Sequence, residues 1–219
     1  MGNTLMLRSM QLFCDDLGLL KRCISKTTSD YRSLDPGWYL YRKVMEYKGD
    51  KFSEEFIELV YVTLSAWNMN TRGAKLSNFK AFLKSIIDNK RTFSLLAKEK
   101  LSSLAKNEEI IENLRKLFYS LKLVDTKTIL VTFSKTLHFL LPDLVVPIDR
   151  SYTLKYFRGN TDIPQKKELQ FKRFVEIEKD FSEFSNRAKL TRFLDKKWSP
   201  NIPKVCDNAV IGCCKFKHL

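Results

Sequence analysis

The chain has 219 residues and a formal net charge of +14, with 44% hydrophobic and 12% aromatic residues. That apolar content excludes a disordered chain, and 7 glycines with 6 prolines are too few turn residues for a β-sandwich or barrel. No run of 18 apolar residues would span a membrane, and no basic-then-apolar leader is visible, so the five cysteines read as reduced thiols of a cytoplasmic protein.

Helical periodicity dominates from the start. Residues 4–24 place Leu5, Met6, Met10, Phe13, Leu17 and Leu20 on one face. Asp35-Pro36 predicts a second helix, since proline fits a first turn. Ser53-Glu54-Glu55 opens a third that runs to about Trp67 and is apolar nearly all round, which predicts a central, buried helix. A break follows at Met69–Gly73, and Ser77 is the expected cap of a helix to about Asp88. Further helices are expected at 92–105 and 107–122, and from a cap at Asp125 to Leu141. Val145 to Ile148 should be extended, because a residue before proline avoids the helical region. Asp149 can cap a helix through Phe157, a turn follows at Arg158–Asn160, and helices close the chain at 165–187 and after Pro203. The expected class is all-α, with nine or ten helices.

The charge is unevenly distributed. Residues 1–69 are net 0, 70–106 net +7, 107–185 net +1 and 186–219 net +6. Both basic blocks alternate bases with apolar residues, as in Lys80, Phe82, Lys84 and Ile87, so they are amphipathic segments and not tails. Folded basic faces attract polyanions, and release of the counterions condensed on DNA or RNA is the usual source of affinity. A general solubility surface would give the same counts.

Two segments carry candidate chemistry. Phe56 to Trp67 contains Leu64-Ser65-Ala66-Trp67, and Val131-Thr-Phe-Ser-Lys-Thr136 is followed by Val146-Pro-Ile-Asp149. Taken in order, these resemble the Leu-Ser-Ala-Gln helix, the hairpin and the Val-Pro-Val-Asp segment of endonuclease III-type enzymes, in the helix-hairpin-helix DNA glycosylase superfamily. Asp207 to Gly212 is similar to a late helix of the same proteins. The likeness is concentrated in residues 56–83 and 125–158.

The resemblance implies base excision: a damaged base is flipped out of duplex DNA and its N-glycosidic bond is broken. Asp149 would stabilise the oxocarbenium-like sugar, and its position after Pro147 and before a helix also suits an ordinary N-cap. Lys135 matches the lysine that attacks the sugar C1′ in lyase-type members, and it equally suits a solvated lysine whose stem covers Val131 and Phe139. Trp67 stands where the family places a base-stack wedge, or else anchors the core. DNA contacts are implied for Trp67, Asn70, Arg72, Lys75, Ser134, Arg150 and Lys204. No cofactor is implied: the iron–sulfur site of many relatives needs four cysteines, and the C-terminal region has Cys206, Cys213 and Cys214.

The hairpin departs from the pattern. Val131 and Phe133 occupy the places of two glycines, which hinders close approach of backbone to phosphate, and 126–141 could be one unbroken helix. The implied architecture is two helical subdomains around a cleft, residues 53–145 forming one and 1–52 with 146–219 the other. The expected partner is damaged double-stranded DNA. A catalytically inactive DNA- or RNA-binding protein on the same scaffold, or a helical protein-interaction module, are the alternatives.

Overall fold

Side-chain caps define most helix starts in the computed structural model, which describes residues 12–31, 35–70 and 75–216. Asp16 breaks the expected first helix. A helical turn over 12–15 precedes it, and its carboxylate accepts from the Leu19 amide to start α1 (Leu17–Ser29). Residues 4–11 lie outside the described part. Asp35 caps α2 (Pro36–Glu46) and Ser53 caps α3 (Glu54–Ala66), as expected. Asn78, not Ser77, caps α4 (Phe79–Asp88); the Ser77 hydroxyl instead donates to the Lys122 carbonyl.

The stretch 92–105 is not one helix. It divides between α5 (Lys90–Leu96) and α6 (Leu101–Leu104), whose first amide donates to the Asp143 carbonyl. Asn107 caps α7 (Glu108–Ser120). Asp125 caps nothing: its segment crosses the chain before α4, through an isolated bridge between Leu76 and Val124, and α8 starts only at Leu130 and ends at Leu140. The amides of Ile129 and Leu130 both donate to Gln170 Oε1, so that helix is capped by a side chain about 40 residues away.

Every residue of α8 is buried, which makes α8 the central helix. α3 was expected in that place, yet Val62 is 45% exposed and its buried set is Phe56, Ile57, Val60, Thr63 and Leu64. After α8 the chain is extended, then makes a π-helical turn (Arg150–Leu154) and a short α9 (Lys155–Arg158) closed by Gly159 at φ +69°. α10 (Lys167–Arg187), a 3₁₀ turn (Leu190–Phe193) and α11 (Ile202–Lys215, capped by Asn201) complete the described chain.

The fold is all-α, and among the described residues there is no strand beyond isolated bridges. The core is one continuous apolar cluster from Phe13 to Cys213. α11 lies along α1, α10 meets α6, and α3 packs on α2, α4 and α8. Among the described residues no helix is long and apolar enough to cross a membrane.

Candidate functional site

The segment 145–149 is pinned at almost every peptide by side chains of the buried helices. His138 Nδ1 meets the Val145 carbonyl at 2.8 Å, Glu178 Oε2 accepts from the Val146 amide at 3.1 Å, and Ser134 Oγ accepts from the Ile148 amide at 3.0 Å. The Asp149 amide donates to Thr153 Oγ1. Four anchors on two helices and the π-turn therefore fix the backbone that carries Asp149.

The Asp149 carboxylate has two tasks. Oδ1 accepts from the amides of Ser151 (2.7 Å) and Tyr152 (3.3 Å), which is the capping role. Oδ2 faces Lys135 Nζ at 3.3 Å. The Lys135 side chain is 8% exposed and that of Asp149 32%, so the pair sits at an opening and not inside the cap. Lys135 Nζ also lies 5.4 Å from the centroid of the Trp67 ring, on whose electron-rich face a cation is favoured.

Both residues line a cavity of about 320 Å³, with Gly37, Trp38, Trp67, Tyr152, Lys204 and Asp207 among its other walls. An aromatic column backs it: Tyr31 stacks on Trp38 (4.8 Å between centroids), Trp38 on Tyr41 (5.0 Å) and Tyr41 on Trp67 (5.7 Å). The Trp67 indole donates to the Gly37 carbonyl at 3.1 Å, tying the end of α3 to the first turn of α2. Trp67 is thus a half-buried wall of the cavity.

Lys204 and Asp207 form a second ion pair, buried in α11 at the cavity wall. Burial pulls the Lys204 ammonium down, but Asp207 and the neighbouring Tyr31 and Tyr41 oxygens outweigh it and hold it above the ordinary lysine range. Burial raises the Asp207 carboxyl above the ordinary carboxylate range, and the Lys204 ammonium opposes that rise. Lys204 also donates to the Tyr31 hydroxyl at 3.1 Å, which donates on to Asn208.

The other sequence-derived contacts are dispersed. Ser134 is fully buried, donating to the Val131 carbonyl and accepting from Ile148, so it is a clamp on the 145–149 segment and cannot meet DNA. Residues 131–136, expected to hold the hairpin turn, lie wholly within α8. Lys204, expected as an outer contact, is 4% exposed. Asn70 is exposed but spends its amide group on Ser65 Oγ and the Leu76 amide, bracing the loop. Arg150 is exposed and donates to the Thr161 carbonyl, Lys75 is exposed, and Arg72 lies outside the described residues.

Sequence reading missed Tyr31, Trp38 and Asp207. Asp207 had a signal: Lys204 and Asp207 are charged residues three apart within a helix whose neighbours Val205, Cys206, Ala209 and Val210 are apolar. Tyr31 and Trp38 join the site only through tertiary packing. Among the described residues no three His, Cys, Asp or Glu side chains converge to hold a metal ion. Comparisons with models of known protein families, with curated proteins and with solved structures each give no match.

Proposed function

We propose that this chain is a DNA base-excision glycosylase that cleaves the N-glycosidic bond of a damaged base held in the Asp149 cavity. One observation carries the reading: a half-exposed carboxylate, immobilised through its backbone and through Oδ1, shares a cavity wall with the Lys135 ammonium 3.3 Å away. As the C1′–N bond breaks, its electron pair leaves with the base and C1′ becomes positive. Asp149 Oδ2 offers fixed negative charge to that centre. Water then adds to C1′ and its proton is lost to solvent. In a bifunctional enzyme Lys135 replaces water: after giving up a proton its amine bonds to C1′, the C1′–O4′ bond opens with O4′ taking up a proton to give a Schiff base, and loss of a C2′ proton then expels the 3′ phosphate by β-elimination.

The cavity is near the lower limit of ligand-binding size and is aromatic on one side, which suits a planar base. A second reading, a nucleic-acid-binding protein without chemistry, draws on the Gln170 cap, because the α8 amides nearest the expected hairpin are already occupied.

Incubation with duplexes carrying an abasic site or an oxidised base, with borohydride present, separates the readings. A covalent adduct lost in Lys135→Ala supports the lyase. Base release that persists in Lys135→Ala and stops in Asp149→Asn supports a glycosylase alone. No adduct and no base release from the wild type across alkylated, oxidised and deaminated duplexes would reject catalysis.

A further inference from the structure

The fold assembles a lysine-rich surface that no single stretch of sequence displays. Three segments converge at the end of the molecule where α8 begins. The Asp125 amide donates to the Lys75 carbonyl and Ser77 Oγ to the Lys122 carbonyl, joining the approach to α4 with the loop after α7. Gln170 Nε2 donates to the Lys127 carbonyl, joining that loop to α10. Lys166 is the cap residue of α10, and Lys167 Nζ reaches the Tyr119 carbonyl at 3.5 Å and lies 5.1 Å from the Tyr119 ring centroid.

Lys75, Lys122, Lys127 and Lys166 are exposed, and among the described residues none of the four has an ion-pair partner within 4 Å. Beside them two apolar groups stand in solvent, Tyr119 at 41% and Leu169 at 47% exposure. Asp125 and Glu168 stand exposed among these lysines, and other acids of the stretch 107–185 are taken up elsewhere. Glu178 is buried behind Val146, Glu176 pairs with Arg158, Glu108 with Lys179 and Glu112 with Arg115. Five lysines against Asp125 and Glu168 leave this face cationic.

We propose that this face, formed by Lys75, Lys122, Lys127, Lys166 and Lys167 around Tyr119, binds the phosphodiester backbone of the duplex. The identity of the polyanion rests on the nucleic-acid reading above. Ammonium groups without ion-pair partners, spaced over one surface, suit a repeating anion, and an exposed aromatic flanked by lysines suits the sugar or an end base. The surface also replaces the hairpin as the gripping element. Its backbone amides are closed by Gln170, so phosphate contact passes to side chains. Lys135 is five residues along α8 from Leu130, less than two helical turns from this end.

The test is the salt dependence of binding by the full chain to a short labelled duplex bearing one abasic-site analogue. Lys122→Gln, Lys127→Gln and Lys166→Gln are combined in one variant. A control variant removes equal charge at the other end of α8, through Lys48→Gln, Lys98→Gln and Lys100→Gln. The patch variant should lose roughly 0.9 from the slope of log affinity against log salt for each contact removed, and at least about tenfold in affinity near 0.1 M salt. The control should change affinity by less than about threefold. Equal losses in both variants, or an unchanged slope in the patch variant, overturn the proposal, as does a wild type that binds an acidic peptide but no duplex. Patch-dependent binding by a wild type that releases no base would leave the proposal standing and remove the glycosylase reading. Base release with no effect of the patch would do the reverse.

Discussion

Lys204 and Asp207 face each other one turn apart on α11, with side chains 5% and 6% exposed. Removing one charge strands the other in a buried position. Asp207→Asn should therefore destabilise the fold by about 3–5 kcal/mol, while Lys204→Met combined with Asp207→Leu should recover most of that loss. Urea unfolding of the wild type and the two variants checks this. A double variant as unstable as the single one would show that the pair supports the fold by more than mutual neutralisation.

The two tasks of Asp149 can be separated. Asn caps a helix about as well as Asp, so Asp149→Asn should keep the bonds to Ser151 and Tyr152; both variants lose the Lys135 ion pair, and Asp149→Ala should be the less stable of the two by about 1 kcal/mol. On the proposed function both lose base release alike. Loss of activity in the alanine variant alone would mean that the carboxylate acts by holding the turn, with no role for its charge.

How much was legible follows from where each determinant lies in the chain. The starts at Asp35, Ser53 and Asn107 were readable because cap and helix are adjacent, and the bond spans two or three residues. The start of α8 was not, because its cap is Gln170 on another helix. The central position of α8 was obscured by Lys135, Thr132, Ser134, Thr136 and His138, which read as polar but are buried with local or tertiary partners. Lys135 and Asp149 could be paired on paper by the resemblance. The Lys204–Asp207 wall could not, since Lys204 meets Tyr31 and Tyr41 across more than 150 residues of chain.

Gly212 is the tightest point between α1 and α11. A Cβ there would lie 1.8 Å from the Cys23 carbonyl oxygen, a backbone atom that cannot swing aside. Gly212→Ala should force the helices apart and cost at least about 1–3 kcal/mol, the range for overpacking a core. Gly159→Ala is the contrast: nothing lies within 4 Å, and its penalty comes from the left-handed φ of +69°. Thermal unfolding should rank Gly212→Ala as the more damaging change, and the opposite order would show that α11 can shift without loss.

His138 makes stability fall in acid. The Val145 carbonyl can only accept, so Nδ1 carries the ring proton and Nε2 accepts from the Tyr41 hydroxyl at 3.1 Å. Burial pushes the pKa of this neutral ring down to about 3, against a weaker opposing pull from the Val145 carbonyl. The unfolded chain takes up the proton near its ordinary value of 6.5 and the folded chain does not. The stabilising contribution is therefore complete above pH 6.5 and is lost as pH falls toward 3, with a limiting slope of about 1.4 kcal/mol per pH unit. Asp180 works in the opposite sense. Burial, helped by Glu183, raises its carboxyl to about 7, so its contribution is complete below the ordinary 3.8 and is lost as pH rises from there to 7, against the His138 trend over the shared interval. Urea unfolding between pH 3 and 7 should show stability rising less steeply with pH in His138→Gln, and more steeply in Asp180→Asn, than in the wild type. An acid limb in His138→Gln as steep as that of the wild type would assign the proton uptake to another group.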